Sequence, residues 1–224
     1  MEKSEEVGRI IMLRELYKKL DEYRNGITNL LDINLIQKQE KQCVVSFPEA
    51  MFDFYLHFGN DRKVLSSYYI FDEITNVRVE NSALTFGYKH QGSARLGITL
   101  EKLNGKFQAI SWYSTEWEEW FSEGSAFPES FFLNIACWQV LNTMPSIVKI
   151  HISQTEFETI VNSHFQYFSK DTVYLEGYNI VSVYSRDILG CYVKDNEDLY
   201  LGTQKDDEIL EECEEKLNLD FDWL

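Results

Sequence analysis

One stretch limits what this chain can fold into more than any other. PESFFLNIACWQVLNTMP, residues 128–145, opens on Pro128 and is long enough for a helix from Pro128 to about Thr143. Proline suits the first helical turn. Phe131, Phe132, Leu133, Ile135, Ala136, Trp138, Val140 and Leu141 leave the helix with no polar face. A helix that is apolar nearly all round must be covered on every side, so the rest of the chain has to wrap it. The material for that is present, because 44% of the 224 residues are hydrophobic and 15% aromatic.

The flanking pattern says what does the wrapping. Before the helix, Ile10, Leu13, Leu16, Tyr17, Leu20 and Tyr23 recur at helical spacing, giving an amphipathic helix over 8–24 that Asn25-Gly26 ends. ITNLLDINLIQKQ reads equally as a second helix or as loop. Pro48 opens the helix of PEAMFDFYLHFG, with Phe47 as a hydrophobic staple and Gly59 as its C-terminal cap. The period then changes to short alternating runs, VRVEN, ALTFGYK, SARLGITL and FQAISWYS. Asn81-Ser82, Gln91-Gly92 and Asn104-Gly105 separate them, which predicts consecutive antiparallel strands, with a hairpin at Asn-Gly.

After the helix, Ser153 and Glu156 form a capping box before FETIVNSHF. TVYLEG, NIVSVYS, ILGCYVK and DLYLGTQ make a second group of strands. DDEILEECEEKLN closes as a helix with a thin stripe of Ile209, Leu210, Cys213 and Leu217. No linker separates the strand groups, and with three prolines and eleven glycines there is no low-complexity segment. The expected fold is one α+β domain over 1–224, with helices around a largely antiparallel or mixed central sheet.

GSARLGIT, residues 92–99, resembles a phosphate-binding loop lacking its lysine, with Ile98 in the lysine position. Ile98-Thr99-Leu100 favours strand over helix, so no helix N-terminus is expected there to meet a phosphate. The glycines then serve a turn at Gln91-Gly92 and a bulge or close approach at Gly97. The four histidines, His57, His90, His151 and His164, form no metal-binding spacing, and Ser93 lies in no nucleophile elbow. Cys43, Cys137, Cys191 and Cys213 are far apart, as expected of free, mostly buried thiols in a reducing compartment. Neither a catalytic residue nor a cofactor or metal site is expected. The charged N-terminus, whose apolar run Ile10–Leu13 is short, predicts a cytoplasmic protein.

The net charge of −16 excludes the basic footprint of a nucleic-acid binder and is repelled by an anionic membrane. It is also uneven. Asp195–Leu224 holds twelve acids and two lysines, so −10 of the −16 lies there. Asp206, Asp207, Glu208, Glu211, Glu212 and Glu215 on the last helix are either a solvated face or a surface shaped for a basic partner. STEWEEWFSEG, residues 114–124, is the other unusual segment. Read as a helical turn, it puts Trp117 and Trp120 on one face, flanked by Glu116, Glu118 and Glu119. The indoles either dock this turn onto the core or anchor a partner.

Four stretches in this order resemble the SUKH superfamily, which includes yeast cell-wall-synthesis regulators and many bacterial immunity proteins. They are PEAMFDFYLHFG (48–59), LTFGYKHQGSARLGI (84–98), FFLNIACWQVLNTMP (131–145) and DLYLGTQKDDEILEECEEKLNLDFDW (198–223). The resemblance spans about residue 45 to the end and leaves 1–44 as an N-terminal helical region. His90 departs from the polar or acidic residue expected before the Gln-Gly turn. The resemblance implies an α+β fold, no catalysis, and binding of a toxin made by the same cell, often a nuclease or deaminase. A toxin that acts on nucleic acid needs a basic surface, and an acidic inhibitor is steered to it. The expected function is therefore a non-catalytic immunity protein that neutralises a cognate basic toxin. The alternatives are an intracellular scaffold or regulator of the same superfamily, and a hydrolase with a carboxylate site.

Overall fold

A computed structural model describes residues 14–24, 29–89, 92, 94–104, 109–122, 128–168, 173–175 and 178–224. The apolar helix, labelled α6 below, runs Pro128–Leu141, and Glu129 is the one residue of its fourteen that is not buried. Helix α1 (14–22) comes first, with Tyr17 and Leu20 fully buried; Ile10, Leu13 and the Asn25-Gly26 stop lie outside the described residues. The ambiguous stretch after it resolves as α2 (Ile33–Cys43), capped by the Asp32 side chain accepting from Asn34 N. Helix α3 (Glu49–Phe58) starts after Pro48. Gly59 ends it in the right-handed conformation, not the left-handed one of a glycine cap. A side chain there would collide with Tyr55 O and Leu31 instead. The single turn α4 (Arg62–Leu65) follows.

The strands form two antiparallel sheets with α6 between them. The first holds β1 (Ile70–Phe71), β2 (Arg78–Glu80), β3 (Ala83–Tyr88), β4 (Arg95–Thr99), β5 (Ser111–Ser114) and β6 (Glu119–Ser122). Its order is β1-β3-β4-β5-β6, with β2 also on β3. Asn81 and Ser82, both at positive φ, make the tight β2–β3 turn. Strands β4 and β5 pair antiparallel, as expected of the runs on either side of Asn104-Gly105, and the short helix α5 (Leu100–Leu103), capped by the Thr99 hydroxyl and closed by Asn104, lies between them; Gly105 is outside the described residues. Leu84, Phe86, Leu96 and Ile98 turn to the core.

The second sheet is ordered β13-β7-β12-β11-β10-β8, with β9 also on β10. It contains β7 (Ser146–His151), β8 (Gln166–Tyr167), β9 (Val173–Leu175), β10 (Tyr178–Tyr184), β11 (Leu189–Val193), β12 (Asp198–Thr203) and β13 (Asp222–Trp223). Its side chains alternate between two cores. Ile180, Leu189, Cys191 and Val193 face α6. Val148, Ile150, Val181, Val183, Tyr192, Leu199 and Leu201 face α7 (Gln154–His164) and α8 (Glu208–Leu217). Burial on both faces explains why ILGCYV carries no polar alternation. The capping box at Ser153 and Glu156 is present at the start of α7, and Phe157 stacks on Tyr192 at 4.0 Å.

The layers therefore run from first sheet, through α3 and α6, to second sheet, and then to α7 and α8. Phe132 of α6 meets Phe54 of α3 and Phe86 of β3, each at 5.3 Å. Gln139 is the polar keystone of this layer. Its Oε1 accepts from Tyr68 N (3.0 Å) and Tyr69 N (2.8 Å), and its Nε2 donates to Val64 O (2.6 Å) and Tyr69 O (2.8 Å). A fully buried amide is stable only with its hydrogen-bonding groups satisfied. Here it ties the 64–69 segment to α6.

Candidate functional site

Helix α8 packs through Leu210 and Cys213, with Ile209 and Leu217 half-buried beside them. That thin stripe fixes which way every other residue points. Glu208, Glu211, Glu212 and Glu215 stand three and four residues apart on the opposite, exposed face. With Asp206 they make no ion pair among the described residues. Asp207 is different, because it accepts a hydrogen bond from the Ser146 hydroxyl and thereby joins the helix start to β7. Lys216 is the one basic residue on the helix, and Lys205 before it is held by Asp187 at 2.5 Å.

The rest of the acidic C-terminal segment is partly consumed by the fold. Asp198, 6% exposed, takes Lys149 Nζ at 3.0 Å and faces His151 Nδ1 at 3.3 Å. Asp195 accepts from Asn179 N and Nδ2. Glu214 accepts from Phe221 N at 2.8 Å. The Lys149–Asp198–His151 group had no signature in the sequence. It exists because β7 and β12 pair with His151 opposite Asp198, and that register is a tertiary fact.

The segment around Trp117 is a hairpin and not a helical turn. Strands β5 and β6 pair from Ser111–Ser122 to Ser114–Glu119, and residues 115–118 form the loop, with Glu118 at φ 53°. Trp112 on Phe121 (4.7 Å) and Tyr113 on Trp120 (5.3 Å) are cross-strand aromatic pairs that favour the hairpin. The two tryptophans consequently part. Trp120 lies on Gly97, where an added Cβ would come 2.9 Å from its ring, and its Nε1 donates to Asn81 O at 2.7 Å. Trp117 stands 66% exposed at the tip, beside exposed Glu116, Glu118 and Glu119. This tip belongs to the first sheet, whereas α8 covers the outer face of the second. The structure does not gather the two acidic groups into one site.

Gly92 and Gly97 are not a phosphate loop. Gly92 has φ +72° in a turn, and Gly97 is inside β4. A helix does follow Thr99, contrary to the strand reading, but α5 has four residues and begins beyond the strand that separates it from Gly92. Arg95 turns inward, 7% exposed, onto Asp72 Oδ2 (2.5 Å) and the Thr85 hydroxyl (3.0 Å), over the Tyr88 ring at 4.4 Å.

The nucleophile candidates are quenched by burial. Cys137, Cys191 and Cys213 are buried and free, and Cys43 is half-buried and free. Desolvation pushes the Cys191 thiol up to about 12, Cys213 up to about 11, and Cys137 and Cys43 upward as well. All four stay protonated near neutral pH, and a thiol is a weak nucleophile. His57 is enclosed by Tyr17 and Phe58, with Nδ1 3.6 Å from Asp21 Oδ2. His90 and Ser93 lie outside the described residues. Among the described residues no group of three His, Cys, Asp or Glu side chains is placed to hold a metal ion, and no helix is long and apolar enough to cross a membrane. Comparison with protein-family models, curated proteins and solved structures gives no match to this chain.

Proposed function

We propose that the protein is a non-catalytic binding protein of the immunity type, which neutralises a basic protein toxin by covering it with the carboxylate face of α8. The observation that carries this reading is the stripe of Glu208, Glu211, Glu212 and Glu215. Like charges three and four residues apart repel, at about 0.2–0.5 kcal/mol per pair. Glu215 also sits near the helix C-terminus, where a negative charge opposes the helix dipole. Glu208 and Glu211 lie in the first turn, where negative charge suits the dipole, but the repulsion among the four carboxylates remains, and a partner rich in lysine and arginine would relieve it on binding. The resemblance over residues 45–224 supports the same reading. Trp117, exposed among three glutamates, is a second contact of the kind that anchors interfaces.

The test is co-expression and binding with a candidate toxin encoded by a neighbouring gene. Growth should be rescued and a complex recovered. The association rate should fall steeply with added salt, because charge steering is screened. Replacing the four glutamates with glutamine should slow association by about tenfold at low salt, with a smaller change in dissociation. Rescue without a complex would contradict direct inhibition, and a salt-insensitive association rate would contradict the role given to α8.

A further inference from the structure

We propose that the outer edge of β6 is a docking site for an extended, basic segment of a partner protein, which adds to the first sheet as a further antiparallel strand. This rests on the basic partner proposed above but uses a surface other than α8. Strand β6 ends the order β1-β3-β4-β5-β6, and among the described residues no strand lies beyond it. One edge of β6 pairs with β5, so alternate N–H and C=O groups on the other edge are left for a partner strand. Glu119 and Ser122 at its two ends are exposed, and Trp120 and Phe121 between them are half-buried. The edge is held in shape before any partner arrives. Trp112 stacks on Phe121 at 4.7 Å, Tyr113 meets Trp120 at 5.3 Å, and the Ser114 hydroxyl accepts from Trp117 N at 3.2 Å. A preorganised strand loses little conformational freedom on pairing.

Charge selects the occupant. Glu116, Glu118 and Glu119 are exposed together at the tip end of β6 and enter no ion pair among the described residues. Charges on an edge strand guard it against pairing. All three have one sign here, so the guard does not act against a strand carrying Lys or Arg, for which opposite charges across the pair are favourable. A second copy of the chain, at net charge −16, is repelled as a whole. At the other end of β6, Lys102 Nζ donates to the hydroxyls of Ser111 (3.2 Å) and Ser122, so the partner's cations belong at the tip end alone. Antiparallel pairing puts the partner's C-terminal end there. Aliphatic residues then face Trp120 and Phe121, and an arginine faces Glu119. The cations that follow reach Glu116, Glu118 and the ring of Trp117, which is 66% exposed.

The experiment uses the full-length protein, labelled with nitrogen-15, and the acetylated, amidated peptide Thr-Val-Ile-Arg-Lys-Arg as probe. Its Thr, Val, Ile and first Arg are matched to Ser122, Phe121, Trp120 and Glu119. Saturable shift changes and slowed amide exchange within Glu119–Ser122 are expected, weakening with added salt. Two further peptides carry N-methyl groups at alternate positions, one on Val and the first Arg, the other on Ile and Lys. Only the peptide whose lost N–H groups face β6 should lose binding, a period-two signature that charge attraction by itself does not produce. The acidic peptide Thr-Val-Ile-Glu-Asp-Glu should not bind. Glu116→Gln with Glu119→Gln should weaken the basic peptide by about fivefold. The proposal is overturned by no saturable change at β6, by the two N-methyl peptides behaving alike, by equal binding of the acidic peptide, or by β6 pairing with a second copy instead. Glutamine at Glu208, Glu211, Glu212 and Glu215 should leave peptide binding unchanged, so failure here and failure of capture by α8 are read separately.

Discussion

Val44 and Gly97 show how much a single position can say here. Val44 caps α2 in the left-handed conformation, φ 57° and ψ 30°, with its N–H bonded to Glu40 O and Lys41 O. It is 86% exposed, so packing does not compensate for a β-branched residue in a conformation that suits glycine or asparagine. Val44→Gly should therefore stabilise the protein by about 0.5–1 kcal/mol, once glycine's larger loss of chain entropy is subtracted. Urea unfolding would measure it, and a loss of stability would contradict the strain. Gly97 is the opposite case. Leu84 O and the Trp120 ring would both lie within 3 Å of an added Cβ. Gly97→Ala should cost about 1–3 kcal/mol, the range for overpacking. It should also shift the Trp120 fluorescence, as the indole is pushed off the sheet.

At the level of elements, the β5–β6 hairpin and α8 divide the roles that their residues share in the sequence. The alternation Trp112, Ser114 and then Trp120, Ser122 suits a strand pair as well as a helical turn. Trp117 and Trp120 are three apart either way, so spacing alone does not separate the two. Cross-strand stacking of Trp112 on Phe121 decides in favour of the hairpin, and it sends Trp120 inward and Trp117 outward. Helix α8 was legible in the sequence because its apolar stripe is short and its acids fill the remaining face. Its charge pattern gives a stability prediction independent of any partner. Glu212→Gln with Glu215→Gln should raise stability by about 0.5 kcal/mol at low ionic strength. The gain should shrink in high salt as the repulsion is screened. Thermal unfolding at two salt concentrations would check both parts, and a destabilised double variant would mean that these carboxylates support the fold.

Across the whole molecule, burial of titratable groups against α6 and the second sheet makes stability depend on alkaline pH. Cys191 ionises at about 12 and Cys213 at about 11 in the folded protein, against an ordinary value of 9.0. Burial also raises Cys137, Tyr17 and Tyr55. The unfolded chain therefore loses these protons at lower pH than the folded one. Their contribution is fully present below pH 9 and declines as pH rises through 9 toward 12. The urea midpoint should fall over that window under reducing conditions. Cys191→Ala would flatten part of the decline, and an unchanged midpoint up to pH 11 would contradict the burial of these groups.

The α+β class, the buried α6, the capping box on α7 and the strands that follow it were all readable in the sequence. Each rests on local information: a hydrophobic period, a cap, or a turn residue. The sequence also showed that the strands come in two groups. That the groups form separate sheets on either side of α6 was a tertiary outcome, because pairing partners far apart in the chain leave no local mark. The same holds for what became of the chemistry. Register placed His151 opposite Asp198 and spent that carboxylate inside the fold. Layering put the Trp117 tip and the α8 glutamates on different sheets. The sequence by itself determined which residues must be buried and where the negative charge accumulates. Only the tertiary structure decided which of those charges and aromatic rings remain available to a partner, because availability depends on long-range packing.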